Sequence, residues 1–358
     1  MEMERFTFKT WLSGILAFLM LTVVGETSGN EKNMALSGIE RQVKTEAPEQ
    51  KTTRTPLHTA IENGDMALAE RYVSEKKWIN DRDVFGLTPL HFTVIRDNQR
   101  LVKKLLLAGA DTSLADHRGD TPLHMVAAHQ GPLEIAQMLL DGGANINAIN
   151  QQGGTPLHWA AGEGNLALVG LFLQRGAKPD ITDVKGETPL HWAVDSSRLD
   201  VVRHLLRAGA DPGRINLSGR SPLHLAAKNG QLDIATLLIE RGVDLGTRGV
   251  SGDTPLHWAA GQGNVDMVRL FSMRIRDLNP RAKHGETPLH WAVFRGHYDV
   301  AALLIASGAD CNAMDALGKT PLQLARAKGH EKIVQLLLPR STLNTVDRTQ
   351  KPAPVPNI

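Results

Sequence analysis

Histidine is the side chain in this sequence best suited to bind a metal ion or to move a proton near neutral pH. The chain has 358 residues, of which 14 are histidines. Eight of them close the same four-residue string, Thr-Pro-Leu-His or its Ser variant: His58, His91, His124, His158, His191, His224, His257 and His290. A zinc ion takes several ligands, with each imidazole nitrogen about 2.0–2.1 Å from the metal. These rings therefore form a metal site only if the fold brings several of them together.

The string that carries these histidines recurs with a fixed period. It starts at Thr55, Thr88, Thr121, Thr155, Thr188, Ser221, Thr254 and Thr287, and Thr320 opens a ninth copy that reads TPLQ. Successive copies are 33 residues apart, except for a step of 34 residues from Thr121 to Thr155. Nine copies in phase predict a solenoid, in which each repeat packs only against its neighbours.

Each copy has the local signals of two helices. In the fourth copy, Thr155 is a good N-cap, and Pro156 occupies a first helical position that does not use its missing N–H. Gly164 then ends the first helix, because glycine adopts turn conformations that other residues resist. A second apolar stripe follows and ends at Gly176. We therefore predict an all-α repeat solenoid of helix, tight turn, helix and exposed hairpin-like loop.

The turn between the two helices varies among the copies. Its glycine lies nine residues after the opening Thr or Ser in six copies, whereas Asp97 and Ser197 stand there in the second and fifth copies. We expect strained or wider turns at those two residues. In the third copy the glycine is Gly131, ten residues after Thr121. We therefore place one extra residue around 129–130, in a turn that tolerates insertion.

The period of 33 residues and the string T-P-L-H-x-A, as at 155–160, resemble the ankyrin-repeat family. The resemblance covers roughly residues 53–340. It implies an ankyrin array of stacked helix-turn-helix units, a structural role for the recurring histidines, and first helices that line a concave side. It implies little about a particular partner, because one fold carries many functions.

No residue pattern in the chain indicates catalysis or a cofactor. Neighbouring repeats stack about 8–10 Å apart, which is too far for equivalent histidines to converge on one metal ion. Cys311 is the only cysteine, which excludes an internal disulfide, and we expect it to be a small buried residue. We find no nucleophile with its base, no paired carboxylates and no phosphate-binding loop. We therefore predict a protein that is not an enzyme and has no cofactor, metal or small-molecule substrate.

Two sets of residues are candidates for binding a partner. Tryptophan follows the recurring histidine in four copies, in two pairs separated by Leu225: Trp159 and Trp192, then Trp258 and Trp291. These rings either pack between adjacent first helices or anchor a partner, since tryptophan is enriched at binding hot spots. The second set varies in charge at the predicted loop tips: Arg118, Asp120, Gln152, Lys185, Arg220, Asp253, His284 and Lys319. That variation suits a specific protein-binding surface or the neutral drift of solvated loops.

Composition limits the class of partner. The net charge is +2 at pH 7, with 40 Lys and Arg against 38 Asp and Glu. The chain therefore lacks the strongly basic character typical of proteins that bind nucleic acid. We predict an unidentified protein partner and no nucleic acid.

The seventh and ninth copies depart from the common pattern. The seventh lacks the Gly-Ala pair that ends the second helix and reads RIRDLNP at 274–280, so we expect a weaker junction or a local bend before the eighth repeat. The ninth carries Arg326 and Lys328 where inner copies are more apolar, which suits the polar end of a solenoid. Pro339 is expected to stop the last helix, and residues 341–358 are expected to form a disordered tail that contains prolines.

The N-terminus is unlike the repeats. Residues 11–24 are uncharged and would span roughly 21 Å as a helix, which is short for a membrane core of about 30 Å but suits the apolar part of a signal peptide. We expect residues 1–25 to be a signal peptide cut after Gly25 or near Gly29, an uncleaved anchor, or a buried helix without an export role. Residues 26–52 are expected to be a flexible linker before the repeats at 53–340.

These features favour an exported scaffold, periplasmic or secreted, that binds a protein through the concave groove and loop tips of the array. The alternative is a membrane-anchored structural or regulatory module, with residues 11–24 retained and the array tethered by the linker. Only that retained segment would bring the protein to a membrane.

Overall fold

The structure is a computed structural model that describes residues 54–346, with side chains described as far as Leu338. The predicted signal or anchor segment at 1–25, the predicted linker at 26–52 and residues 347–358 of the predicted tail lie outside the described residues. Within 54–346 the chain forms eighteen helices and no strand, which confirms the predicted all-α repeat solenoid. We call each helix pair with the loop that follows it a unit, and we number the units one to nine.

The helices of each unit follow one another along the chain. In order they are α1 (Pro56–Glu62) and α2 (Met66–Ser74), α3 (Pro89–Ile95) and α4 (Gln99–Leu107), α5 (Pro122–Ala128) and α6 (Leu133–Asp141), α7 (Pro156–Glu163) and α8 (Leu166–Gln174), α9 (Pro189–Asp195) and α10 (Leu199–Arg207), α11 (Pro222–Asn229) and α12 (Leu232–Glu240), α13 (Pro255–Gly261) and α14 (Val265–Ser272), α15 (Pro288–Arg295) and α16 (Tyr298–Ala306), α17 (Pro321–Lys328) and α18 (Glu331–Val346). None of these helices combines the length and apolar character needed to cross a membrane.

Each first helix is started by the residue before its proline. Thr155 has an extended backbone, with φ −101° and ψ 166°, and its side chain forms a capping box with His158. The same arrangement of N-cap and proline recurs in all nine units. Helices of seven or eight residues are marginal alone, so packing against neighbouring units must stabilise them.

A residue with positive φ makes the tight turn between the helices of every unit. It lies nine residues after the opening Thr or Ser and is a glycine in six units, for example Gly164 with φ +82°. Asp97 has φ +52° and Ser197 has φ +60°, without the freedom of glycine. The strained turns predicted at these two residues are therefore confirmed.

The predicted position of the extra residue in unit three is wrong. Gln130, and not Gly131, makes the turn, with φ +55°. Gly131 N donates to Val126 O at 2.8 Å, which is the bond that the residue after the turn makes in other units. The extra residue is therefore Pro132, which occupies the N-cap of α6. A glycine next to a turn does not identify the turning residue, because glutamine adopts the left-handed conformation at a cost of roughly 1–3 kcal/mol.

The second helices end as the sequence predicts in most units, and differently in unit seven. After α8, Gly176 has φ +88° and Ala177 N donates to Phe172 O at 2.9 Å. The corresponding helix of unit seven, α14, has eight residues, one fewer than α8. The link to unit eight is present nonetheless, since Asp310 N donates to Asn279 Oδ1 at 2.8 Å. The predicted weak junction or bend stays a prediction.

A single hydrophobic core runs along the stack of units. Units one to eight each contribute the leucine of the opening motif, and these side chains are all buried: Leu57, Leu90, Leu123, Leu157, Leu190, Leu223, Leu256 and Leu289. Phe172 and Phe271 of the second helices are the largest fully buried side chains. Cys311 is buried as predicted. The array is thus held together by contacts between adjacent units.

The last helix extends further than the sequence predicts. Helix α18 runs to Val346 and passes Pro339, so the prediction that this proline stops the helix is wrong, and residues 341–346 are helical. A proline within a helix removes one backbone donor and kinks the axis, but a helix can continue beyond the kink.

Candidate partner-binding groove

The recurring histidines tie each unit to the next. Their Nδ1 atoms lie 2.8–3.0 Å from the hydroxyl oxygen of the Thr or Ser that opens their own unit. Their Nε2 atoms lie 3.0–3.4 Å from a carbonyl oxygen just before the next unit, which for His158 is Glu187 O. A carbonyl oxygen only accepts, so Nε2 carries the proton. The structural role implied by the resemblance is confirmed.

Burial keeps these imidazole rings neutral. It lowers the pKa from 6.5 to about 4 in five of them: His91, His124, His158, His191 and His257. Burial also lowers the pKa of His58, His224 and His290. The neutral form matters because Nδ1 accepts from a backbone N–H, as from Thr155 N to His158 at 3.0 Å. Among the described residues, no group of three or more His, Cys, Asp or Glu side chains is placed to hold a metal ion.

Backbone hydrogen bonds join successive loop tips into a row. Val184 N donates to Gln152 O, and Leu217 N donates to Lys185 O, both at 2.9 Å. In most of the loops a side chain also closes the turn: Asp183 Oδ1, for example, accepts from the backbone N–H of Lys185 at 2.8 Å. The tips therefore form a fixed platform beside the first helices. We call the surface between the loop tips and the first helices the groove.

The four tryptophans of the predicted stripe lie in the groove and are all half-buried. They form two edge-to-face pairs: Trp159 with Trp192, with ring centroids 5.3 Å apart, and Trp258 with Trp291, 5.8 Å apart. Such pairs add about 0.5–1.5 kcal/mol beyond their buried area. Packing between first helices is therefore part of their role, and the exposed part of each ring remains available to a partner.

Two helical glycines make room for these rings. A Cβ at Gly162 would lie 3.2 Å from Cε3 of Trp192, and a Cβ at Gly261 would lie 2.9 Å from Cε3 of Trp291. Both glycines have ordinary helical φ values, so space and not backbone conformation explains them. Each tryptophan pair thus includes a glycine of its first unit.

The structure separates the predicted loop-tip residues into three groups. Gln152, Lys185, His284 and Lys319 are exposed, and Arg118 and Arg220 are half-buried. Asp120 and Asp253 are only 2% and 3% exposed, so their prediction as exposed tip residues is wrong. Both lie directly before an opening Thr, and their carbonyls accept from a recurring histidine, but Lys319 does the same and is exposed, so the position alone does not bury the side chain.

The buried aspartates instead bind inside the groove. Asp120 Oδ1 accepts from Asn150 Nδ2 at 2.7 Å, and Asp253 Oδ2 accepts from Trp258 Nε1 at 2.5 Å. Burial raises the pKa of Asp120. Trp258 also has a cation–π contact, since the guanidinium carbon of Arg220 lies 4.6 Å from the centre of its ring.

Three apolar residues at the loop tips are not among the binding residues predicted from the sequence. Val184, Leu217 and Val250 each lie four residues before the opening Thr or Ser of three successive units and are 61%, 75% and 74% exposed. The signal was present in the sequence as a shared repeat position, but exposed apolar residues are common and attract attention only when they are adjacent.

Comparison with protein families agrees with this architecture. A family model described as Ankyrin repeats (3 copies) matches the chain in overlapping segments, at residues 32–116, 93–183, 125–216, 163–249, 223–315 and 276–351. Together the segments extend over residues 32–351, which is well over half of the chain. A comparison with curated proteins finds no matching relative.

Proposed function

Because this chain belongs to the ankyrin-repeat family, we propose that it is a non-enzymatic scaffold that holds a partner protein against the groove and loop tips of nine repeats. Repeats of this family are generally protein–protein interaction modules and typically have no catalytic activity. Nine units stacked at about 10 Å would present a surface roughly 90 Å long, which is enough for a standard protein interface.

The observation that carries the proposal is the contrast between constant and variable residues. The capping box recurs in all nine units, with glutamine for histidine in the ninth, and holds the backbone of each loop in the same way. The side chains that this frame presents to the groove differ from unit to unit: exposed Gln152, Lys185 and His284 at the tips, and half-buried tryptophans in four first helices. A rigid frame with changing exposed groups suits selective binding, and half-buried tryptophans suit hot spots.

Photo-crosslinking from two exposed lysine positions tests the proposal. A photoreactive amino acid replaces Lys185 at a loop tip, and in a matched variant it replaces Lys103 on second helix α4, in the full chain within its native cell. We expect a defined covalent adduct with another protein from position 185 and none from position 103. Equal adducts from both positions, or none from position 185, would contradict a partner bound in the groove.

We further propose that the chain is exported, with residues 1–25 removed as a signal peptide. The support is the uncharged stretch at 11–24, which lies outside the described residues. N-terminal sequencing of the mature protein tests this: a start near residue 26 in an exported fraction is expected. An intact N-terminus in the membrane fraction would favour the membrane-anchored module instead.

A further inference from the structure

A cleft of about 400 Å³ opens in the groove at units five and six. The loop tips before these units form one wall, and the first helices α9 and α11 form the other. Charged side chains of both signs line it: Lys185, Glu187, Asp195, Arg220 and Lys228. The cleft therefore offers a place where a charged group of a partner could enter between loop and helix.

The cleft lies where the tryptophan stripe is interrupted. Leu225 occupies the position in unit six that Trp192 and Trp258 occupy in units five and seven. Leu225 lines the cleft, and because its side chain is smaller than an indole it fills less of the groove than a tryptophan would. The sequence thus leaves a gap between the two tryptophan pairs.

Three of the five charged side chains of the cleft are basic, and its two carboxylates already accept hydrogen bonds from neutral amide groups. Asn216 Nδ2 donates to Glu187 Oε1 at 3.1 Å, and Asn229 Nδ2 donates to Asp195 Oδ1 at 3.3 Å. Lys185 and Lys228 are exposed, and neither takes part in an ion pair within the described residues. The cleft therefore has two ammonium groups free to bind an anion.

An apolar edge borders the cleft on the side of the loop tips. Val184 and Leu217 line the cleft. Val250 is the next residue of the same row and lies in the loop before unit seven. The three units are adjacent, and Val250 N donates to Ser218 O at 2.9 Å, which fixes the spacing of the row. A partner that places a carboxylate in the cleft would bring its neighbouring side chain against these apolar tips.

We propose that this cleft is a specificity subsite for an acidic side chain, Asp or Glu, next to an apolar residue in an extended segment of the partner protein. Lys185 and Lys228 bind the carboxylate, and Val184 and Leu217 contact the apolar neighbour. The gap left by Leu225 admits the acidic side chain. This subsite rests on the proposed function, of which it is one part.

Selection of peptides on the immobilised full chain tests the subsite. The probe is a displayed library of random 12-residue peptides, followed by affinity measurements with a synthetic peptide of the selected sequence. Three variants are compared with the natural sequence: the pair Lys185→Glu and Lys228→Glu, Leu225→Trp, and the control pair Lys103→Glu and Arg207→Glu on second helices α4 and α10. The control changes the net charge by the same amount on exposed residues away from the groove.

We expect selected peptides to share an acidic residue beside an apolar one. The Lys185→Glu and Lys228→Glu pair should weaken their binding about tenfold or more, as should replacing the peptide carboxylate by an amide, since tenfold corresponds to loss of about 1.4 kcal/mol. Leu225→Trp should weaken binding by filling the cleft, and thermal unfolding should show that it folds, because Trp stands at this position in four other units. The control pair should leave the affinity within about twofold.

Several results would overturn the subsite and spare the proposed function. Selected peptides without an acidic residue, or with affinities unchanged by the cleft variants, would show that peptides bind elsewhere in the groove. The absence of any selected peptide would also overturn the subsite, whereas an adduct from position 185 in the native cell would still support the scaffold. Loss of that adduct would count against the proposed function itself.

Discussion

The tryptophan pair of units four and five can be compared directly with the pair of units seven and eight. Both begin with a first helix that reads PLHWAAG and continue with one that reads PLHWAV. In both, the second indole packs over a glycine of the preceding unit, Gly162 or Gly261, and the two rings meet edge to face at 5.3 Å or 5.8 Å. The aromatic geometry is therefore nearly the same in the two regions.

The polar groups that hold the two pairs are different. Trp192 Nε1 donates to Asp183 Oδ2 at 3.1 Å, and Asp183 lies five residues before the opening Thr. Five residues before Thr254 the chain has Gly249, and the indole that is anchored there is the first of its pair: Trp258 Nε1 donates to Asp253, directly before Thr254. A Cβ at position 249 would lie 2.8 Å from Asp253 Oδ1, so the glycine provides the space that this aspartate occupies.

The difference shows that the same aromatic packing can rest on two polar frameworks. Asp183 both anchors an indole and closes its own loop turn, because its Oδ1 accepts from two backbone N–H groups of that loop. Gly249 has no side chain to close its turn, and the aspartate that holds Trp258, Asp253, does not close one either. Loss of the aspartate should therefore disturb the loop more at Asp183 than at Asp253.

Acidification should have the largest effect and should act on both pairs alike. Folding lowers the pKa of His158 and His257 to about 4, below the ordinary 6.5 of the unfolded chain, so the unfolded state takes up protons first as the pH falls. Stability is therefore complete above about pH 6.5 and is lost towards pH 4. Each of the five recurring histidines with a pKa near 4 should cost about 1.4 kcal/mol at pH 5.5 relative to pH 7.5. Urea unfolding at the two pH values measures the loss.

The replacements His158→Gln and His257→Gln are the matched controls for this experiment. Glutamine stands at the equivalent position in unit nine, where Thr320 N donates to Gln323 Oε1 at 2.9 Å. Each replacement should reduce the pH dependence by the same amount, because each removes one proton-binding ring. Clearly unequal reductions would show that the two regions differ in more than their loop framework.

Removing the two aspartates should separate the frameworks. Asp183→Ala removes the acceptor of one indole N–H and two backbone N–H groups, and it should lower the free energy of unfolding by about 3 kcal/mol. Asp253→Ala removes the acceptor of the Trp258 indole N–H only, and it should lower the free energy of unfolding by about 1–2 kcal/mol. Denaturant unfolding measures both. Asp183→Asn should cost much less, because Asn150 and Asn216 close the equivalent turns. Equal costs for the two alanine variants would contradict the proposed difference.

Much of the fold could be predicted because the rules involved are local. The position of each Thr-Pro-Leu motif gives the start of every first helix. The turn between the helices needs a residue with positive φ, which predicts strain at Asp97 and Ser197. The turn of unit three was misplaced because Gly131 and Gln130 both satisfy the local rule, and only the hydrogen bond to Val126 O distinguishes them.

The groove was less predictable because a repeat fixes positions and not the environment of each side chain. Asp120 and Asp253 are buried through their own side-chain contacts, with Asn150 and with Trp258, whereas Lys319 at the equivalent loop position is exposed. The cleft beside Leu225 is lined by residues of two neighbouring loops and two first helices, so the sequence of one repeat does not predict it. The tryptophan stripe was found because it repeats at one position.

A methyl group on each helical glycine should reveal how tightly the two pairs are packed. Gly261→Ala places a Cβ 2.9 Å from Trp291 and should cost about 1 kcal/mol net, since overpacking outweighs the better helix propensity of alanine. Gly162→Ala has 3.2 Å to Trp192 and should be close to neutral. Thermal unfolding measures both. With Trp291→Leu also present, Gly261→Ala should become stabilising; if it still destabilises, contact with the indole is not the cause.

The smallest expected effect comes from the cation–π contact of the second pair. The guanidinium carbon of Arg220 lies 4.6 Å from the centre of the Trp258 ring. Arg220→Gln should lower the free energy of unfolding by about 0.5–1 kcal/mol, the usual strength of a partly exposed cation–π contact. In a background with Trp258→Leu the same change should have almost no effect, and this double-mutant cycle isolates the contact. An undiminished effect would assign the stabilisation to other neighbours of Arg220.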